Sequence, residues 1–416
     1  MSVYFLPLGL WKALLPVTLL LGATGNAIAR PQPHVCSPTA EYRGDAPPER
    51  LRQGLHEGVN IELLPTTFDL SGDLDAALTE RLNHTLQEAF EKSGAPGVTA
   101  AVGIPGEGMW SETIGLAATA PETPLTDASV FWWASVGKLF TASVILQQVV
   151  EEKLILNQAI DTWFPNYPQA PVITVEHLLT HTGGVFSFQQ DLPFRDRPGY
   201  TPPNELIDIA ARHGADFCPG EYWSYSNTGY VMLAQIAEAI DGKPFSEVTR
   251  DRLLTPLNLT RTETLSPEQI PSNLAVGHID GEPDSNFQPS VPFGAGNIVA
   301  PAEDMVRFLA AVLSGEVYPR HLLRNSLTEL YPMFDNGTYY GQGIMLYDID
   351  ADTNSIHWLG HSGGTPSVKA VVAYDLERQI FVAVAVNGDA PAEAIAWNLI
   401  QSIRNQPTHH RSGPGL

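Results

Sequence analysis

The sequence predicts an α+β fold: an antiparallel sheet flanked by N- and C-terminal helices, with an all-helical domain inserted into it. Three patterns point there. Leu74, Leu78, Leu82, Leu86 and Phe90 recur every four residues, as an amphipathic helix ending at Ser93-Gly94 requires. Short strand-like runs lie toward both ends of the chain, at 98–102 and 110–114 and again at 343–347, 369–374 and 380–386. Between them, from about 135 to 284, apolar residues follow helical spacing broken by long loops. A sheet drawn from both ends makes the middle an insertion, and the cleft between the two parts is where a site is expected.

In chain order, residues 4–22 are apolar except for Lys12, and Ala27-Ile28-Ala29 follows. This reads as a secretory signal occupying 1–29 and cleaved after Ala29. The rival, an uncleaved membrane anchor, is opposed by Pro7 and Pro16, so no stable membrane span is expected after processing. Residues 30–70, rich in Pro, Arg and Glu, read as an extended arm. The remainder, 71–405, divides into an α/β part (about 71–134 and 285–405) and a helical part (about 135–284). Helices are expected at 173–180, 231–240, 302–313 and 392–403, and Pro-rich loops at 191–203 and 216–222. The polar tail, 406–416, is expected to be disordered.

The chain has 416 residues, 44% of them hydrophobic, enough for a large core. Its 23 Lys and Arg stand against 46 Asp and Glu, a net charge of −23 that repels polyanions and excludes nucleic acid as a partner. Cys36 and Cys218 both follow the leader, and in an exported protein such a pair suggests one disulfide, two separate thiols being the alternative. Export to the periplasm or the extracellular space fits equally well.

The stretch Phe131-Trp132-Trp133-Ala134-Ser135-Val136-Gly137-Lys138 carries the first chemical signal. Helical spacing follows it at Leu139, Ala142, Leu146 and Val149, so Ser135 stands near a helix start with Lys138 one turn on, facing the same way. A serine needs a base to become a nucleophile, and a lysine becomes one when burial lowers its pKa. Later come Tyr225-Ser226-Asn227 and Gly360-His361-Ser362-Gly363-Gly364. Ser-x-x-Lys, Tyr-x-Asn and a His-Ser-Gly triplet, in that order, resemble the penicillin-binding-protein and class C β-lactamase family. The text at 173–184 and at Gly294-Ala295-Gly296-Asn297 is similar to that family too, and the likeness covers roughly residues 75–403.

The resemblance implies a β-lactamase/transpeptidase-like fold and an acyl-enzyme on Ser135, with Lys138 and Tyr225 sharing the work of the base. It implies substrate binding by Asn227, His361, Ser362 and Gly363, and an oxyanion hole made by the backbone N–H groups of Ser135 and Gly364. No cofactor and no metal are implied. The expected partner is a small-molecule or peptide substrate, peptidoglycan-derived material included. Where many relatives carry lysine, His361 offers a donor whose charge depends on pH. The run 343–347 lacks the basic residue that carboxypeptidase relatives often keep before the third motif. An unpaired substrate carboxylate there would be penalised. The expectation is therefore an exported hydrolase of esters or D-amino-acid amides, with D,D-carboxypeptidase activity second.

Rival readings are also present. Gly360–Gly364 satisfies Gly-x-Ser-x-Gly, which would make Ser362 the nucleophile of an α/β-hydrolase if a strand preceded it and a helix followed. His177 and His181 have the i, i+4 spacing of zinc ligands, without the glutamate or third ligand such a site needs. A catalytically silent receptor or binding protein on the same fold is the alternative from a different class.

Overall fold

The computed structural model describes residues 36–37, 41–43 and 55–404, apart from 196, 198, 267–269, 335–336 and 350–355. The expected signal segment and the expected disordered tail lie outside the described residues. Among the described residues, no helix is long and apolar enough to cross a membrane.

Asp75 starts the first helix, Ala76–Ser93, by accepting from the backbone N–H groups of Ala77 and Leu78, and Gly94 ends it at φ +70°. Leu78, Leu82 and Leu86 form its buried stripe, as their spacing requires. A hairpin follows, Gly97–Ile104 with Gly108–Thr119, in the register Val98 opposite Ile114 and Val102 opposite Trp110. Gly97–Ile104 then pairs with Ile380–Val386 from the far end of the chain, which closes one sheet from both ends.

The nine strands lie, in spatial order, at Glu122–Pro124, Gly108–Thr119, Gly97–Ile104, Ile380–Val386, Val368–Asp375, Ile356–Thr365, Met345–Ile349, Thr338–Tyr340 and Tyr331–Pro332. Every neighbouring pair is antiparallel. Alternation divides the two faces. Val98, Ala100, Val102, Val371, Val382 and Val384 pack with Leu82, Leu86, Trp397 and Ile400 of the first and last helices. Ala101, Val372, Tyr374, Phe381 and Ala383 pack on the other side with Phe308 of helix Ala302–Ser314 and with Phe140. Both faces are covered, so the central strands are apolar without a break.

Four differences between the middle of the chain and its sequence expectation bear on the site. The helix after Ser135, Gly137–Val150, is buried from Gly137 to Leu146 on all sides rather than along one stripe, because Asn227–Asp241 and the turn Phe293–Ala295 pack against it. Helix Asn227–Asp241 starts four residues before its expected position, capped by the Ser226 hydroxyl accepting from Gly229 N–H. A helix at Pro203–His213 was not expected; its first residue is proline, which suits a helix start, where its missing N–H is not needed. Three short strands, Phe131–Trp132, Ile298–Ala300 and Glu263–Thr264, form a small separate sheet beneath the Ser135 turn.

Strand Ile356–Thr365 runs straight through Gly360–Gly364 and turns directly into strand Val368–Asp375. No helix follows, and Ser362 lies within an antiparallel ladder opposite Val371. The nucleophile-elbow reading of Ser362 is therefore corrected: the sharp strand-to-helix turn it needs is absent from this segment.

Cys36 and Cys218 form a disulfide across a sequence separation of 182 residues. It ties Cys36 to the loop that leads to Tyr225. Arg43 N–H donates to Glu221 O at 2.7 Å, and Tyr42 packs edge-on against Tyr331. A link closing so long a loop removes much unfolded-state entropy. Cys36→Ser with Cys218→Ser is therefore expected to lower unfolding free energy by about 2–5 kcal/mol, read as a lower urea midpoint. An unchanged midpoint would mean that the arm's other contacts hold it unaided.

Candidate active site

Ser135 sits in a tight turn, Ala134–Val136, that enters helix Gly137–Val150. The turn is held from below: Trp133 N–H donates to Ile298 O at 3.0 Å, and the Trp133 indole donates to Ala300 O at 2.9 Å. Ala134 adopts φ +45°, unusual for a residue with a side chain, immediately before the serine. Two glycines press on this turn. A Cβ on Gly363 would lie 2.3 Å from Trp133 O and 2.9 Å from Ser135 N, and one on Gly296 would lie 2.6 Å from Ala134 O. No larger residue permits that approach, so the third motif is seated on the serine turn by its glycine. Within 129–146, Ser135 is the half-exposed residue and the rest are buried.

Lys138 is fully buried, and its Nζ lies 3.1 Å from Ser135 Oγ, 2.6 Å from Asn227 Oδ1 and 2.7 Å from Ala295 O. Burial drives its pKa well below the ordinary lysine value. Tyr225 lies close enough to Ser135 for its phenol to feel the serine hydroxyl, and Lys138 Nζ stands 4.8 Å from the centre of its ring. Burial raises the Tyr225 pKa, so the phenol keeps its proton. Tyr225 is placed by its neighbours: Ser224 N–H donates to His181 O and Ser226 N–H to His181 Nδ1. The structure thus brings Ser135, Lys138, Tyr225 and Asn227 together from two segments.

The third motif contributes differently at each residue. Met345–Ile349 pairs with strand Ile356–Thr365 only as far as Gly360, so on that side 361–365 is an open edge. Ser362 N–H points to that side, toward Met345 Sδ at 3.5 Å. N–H directions alternate along a strand, so Gly364, two residues on, presents its N–H at the same open edge. His361 turns inward instead. It is 1% exposed, with Nε2 3.2 Å from Tyr340 Oη and Nδ1 2.6 Å from Ser362 O. Burial, with the nearby Lys138, pushes its pKa down to about 3, so it is neutral at ordinary pH. Both ring nitrogens are engaged within the protein, and any effect on substrate passes through the strand.

The two histidines of the zinc-like spacing diverge. His177 Nδ1 accepts from Thr174 N–H in a helix cap, while His181 lies among Tyr225, Tyr230 and Tyr340. Several neighbours of the site were not read from the sequence. Gln189 accepts from the Asn227 side-chain amide, and Tyr340 and Tyr230 stand behind His361. The stem of Lys369 lies against Gly364, with its ammonium 2.7 Å from Asp389 and bonded to Thr365 O. No local pattern marks Gln189 or Lys369. Tyr230 closes the Tyr225–Tyr230 segment and was legible only as part of it. A separate cavity of about 610 Å³, lined by Gly72, Asp73, Met109, Trp110, Glu303 and Arg307 among others, carries none of the motif residues.

Comparison with known proteins agrees with this geometry. The Beta-lactamase family model matches residues 82–404. Penicillin-binding protein 4 of Amycolatopsis lactamdurans is 29% identical over 314 residues, 69% of this chain and 81% of that protein. Esterase EstB of Burkholderia gladioli is 26% identical over 290 residues, 60% of this chain and 72% of that protein. Among solved structures, D-amino acid amidase from Ochrobactrum anthropi SV3 superposes with a TM-score of 0.70 at 25% identity, covering 79% of this chain and 99% of that one. With a family match spanning most of its length and the antiparallel sheet and helices of that fold, the chain belongs to the beta-lactamase family, as a serine hydrolase of that class.

Proposed function

We propose that the protein is an exported acyl hydrolase that works through an acyl-enzyme on Ser135. One observation carries this reading: a buried lysine amine with no carboxylate among its hydrogen-bond partners in the described residues stands 3.1 Å from the serine hydroxyl. A neutral amine has two N–H groups and one lone pair. Asn227 Oδ1 and Ala295 O can only accept, so they take the two N–H groups, and the lone pair is left for the Ser135 hydroxyl hydrogen.

The reaction follows in order. Ser135 Oγ attacks the substrate carbonyl while its proton moves to the Lys138–Tyr225 pair. The developing oxyanion is met by Ser135 N–H and by Gly364 N–H at the open strand edge. Such donors are commonly worth roughly 10²–10³ in rate each. The Tyr225 phenol hands a proton to the leaving alcohol or amine, and the C–O or C–N bond breaks to give the ester on Ser135. Water, activated by the same pair, hydrolyses it. Asn227 and the edge at Ser362 and Gly363 line the substrate's path, and a substrate carbonyl competes with Gln189 for the Asn227 amide.

Esters and D-amino-acid amides are the substrates this site fits best. An esterase and a D-amino acid amidase are among its relatives, and the strand Met345–Ile349 beside the open edge carries no basic residue. A second reading, cleavage beside a free C-terminal carboxylate, has Lys369 in its favour, but Asp389 already answers that charge. The expected result is faster turnover of a peptide ending in D-alanyl-D-alanine amide than of the free acid. Equal or faster turnover of the acid would overturn the preference and point to Lys369, with Lys369→Met then abolishing the advantage. Export is supported by the Cys36–Cys218 disulfide, since such bonds persist in oxidising compartments, the periplasm or the extracellular space.

A further inference from the structure

Behind the third motif runs a chain of four polar contacts. Tyr230 Oη donates to Leu179 O at 2.8 Å. Tyr340 Oη stands as donor 3.2 Å from Tyr230 Oη and lies 3.2 Å from His361 Nε2. His361 Nδ1 lies 2.6 Å from Ser362 O. Tyr230, Tyr340 and His361 are buried, so water does not complete their bonding. Both ends of the chain are backbone carbonyls, which only accept.

Four contacts require four hydrogens, and two phenols with a neutral imidazole supply three. A fourth would need an imidazolium. Among the described residues, the titratable groups acting on His361 are Lys138, His181 and Tyr340, none of which offers it a negative charge at neutral pH. His361 is held neutral, and the count stays at three. The two end carbonyls, at 2.6 and 2.8 Å, take one hydrogen each, from His361 Nδ1 and from Tyr230. The remaining hydrogen, on Tyr340, has two takers at equal distance. Tyr230 Oη already has a partner through its own hydrogen. His361 Nε2 would otherwise be a bare buried lone pair, and leaving such a group unmade is the larger loss.

We propose that Tyr340 is a positioning residue: it donates to His361 Nε2, fixes the imidazole as the Nδ1–H tautomer, and through the bond to Ser362 O steadies the strand that presents Gly364 N–H. The kinetic part rests on the acyl-enzyme reading above. In the opposite tautomer, two lone pairs would face each other across 2.6 Å, and the ring or the strand would have to move. Small displacements of a donor aimed at the transition state are costly in kcat.

The test separates the two phenols. Tyr340→Phe is expected to lower kcat about 10-fold with KM within about two-fold. Tyr230→Phe leaves Leu179 O without its donor and is expected to lower Tm while kcat stays within about two-fold, because Tyr340 still serves His361. A packing role alone would predict similar kinetics for both. The ¹⁵N spectrum of the wild-type protein, with His361 assigned by its loss in His361→Gln, should show Nδ1 protonated and Nε2 bare between pH 6 and about 8, and Tyr340→Phe should change that pattern. An Nε2–H tautomer in the wild type, or equal kcat losses in the two variants, would overturn the proposal. The tautomer is read without turnover, so failure of the acyl-enzyme reading, seen as full activity in Ser135→Ala, is told apart from failure of this one.

Discussion

Ser135→Ala is expected to lower turnover of an activated ester by at least roughly 10³-fold, the scale seen when a covalent nucleophile is removed. Stability should hardly change. Ser135 is half-exposed, and Lys138 keeps its bonds to Asn227 and Ala295 when the hydroxyl is gone. The pairing of a large kinetic loss with a small structural one is what separates a nucleophile from a core residue. The same contrast applies to trapping: incubation with a penicillin or an acylating ester should add the acyl mass to the wild type at Ser135 and nothing to the variant. Equal turnover by the two proteins would place the nucleophile elsewhere. No turnover and no adduct in either would favour the silent binding protein, which shares the fold and has no use for the Lys138 lone pair.

How far the site could be read from sequence depended on whether each signal was local. The helix Ala76–Ser93 was legible because burial of one side imposes a period of four, and the central strands because burial of both faces makes short unbroken apolar runs. Ser135, Lys138, Tyr225 and Asn227 were legible as ordered motifs. The full burial of Lys138 was not. The positions Leu139, Ala142, Leu146 and Val149 describe one stripe, and the second wall comes from Asn227–Asp241 and Phe293–Ala295, far along the chain. The inward turn of His361 was missed for a similar reason. A strand's period says which face a side chain takes, but the partner that claims it, Tyr340, lies on a short strand with no pattern of its own. Helix Pro203–His213 was not read: it begins on the last residue of the expected loop 191–203, where a proline serves as the first helical residue.

The burial of Lys138 makes a prediction that needs no substrate. Its amine is neutral in the fold and an ammonium in the unfolded chain at any pH between its depressed folded value and the ordinary 10.5. In that window the unfolded chain binds one more proton than the native one, so unfolding free energy rises with pH by up to about 1.4 kcal/mol per unit. The penalty is largest at the acid end of the window and vanishes as pH reaches the unfolded value. Lys138→Met removes the titration while keeping a long apolar stem, and other groups cancel when the two proteins are compared. Urea unfolding at pH 7, 8 and 9 should therefore show the wild type gaining stability on the variant with each step. Activity should move the opposite way, with Lys138→Met losing roughly 10³-fold or more in kcat because no base remains beside Ser135. A constant stability difference across those pH values would mean that the native amine carries a proton. A lysine ammonium has no lone pair for the Ser135 hydrogen, and the base would then have to be Tyr225 alone, a phenol whose burial holds its proton more tightly than in water.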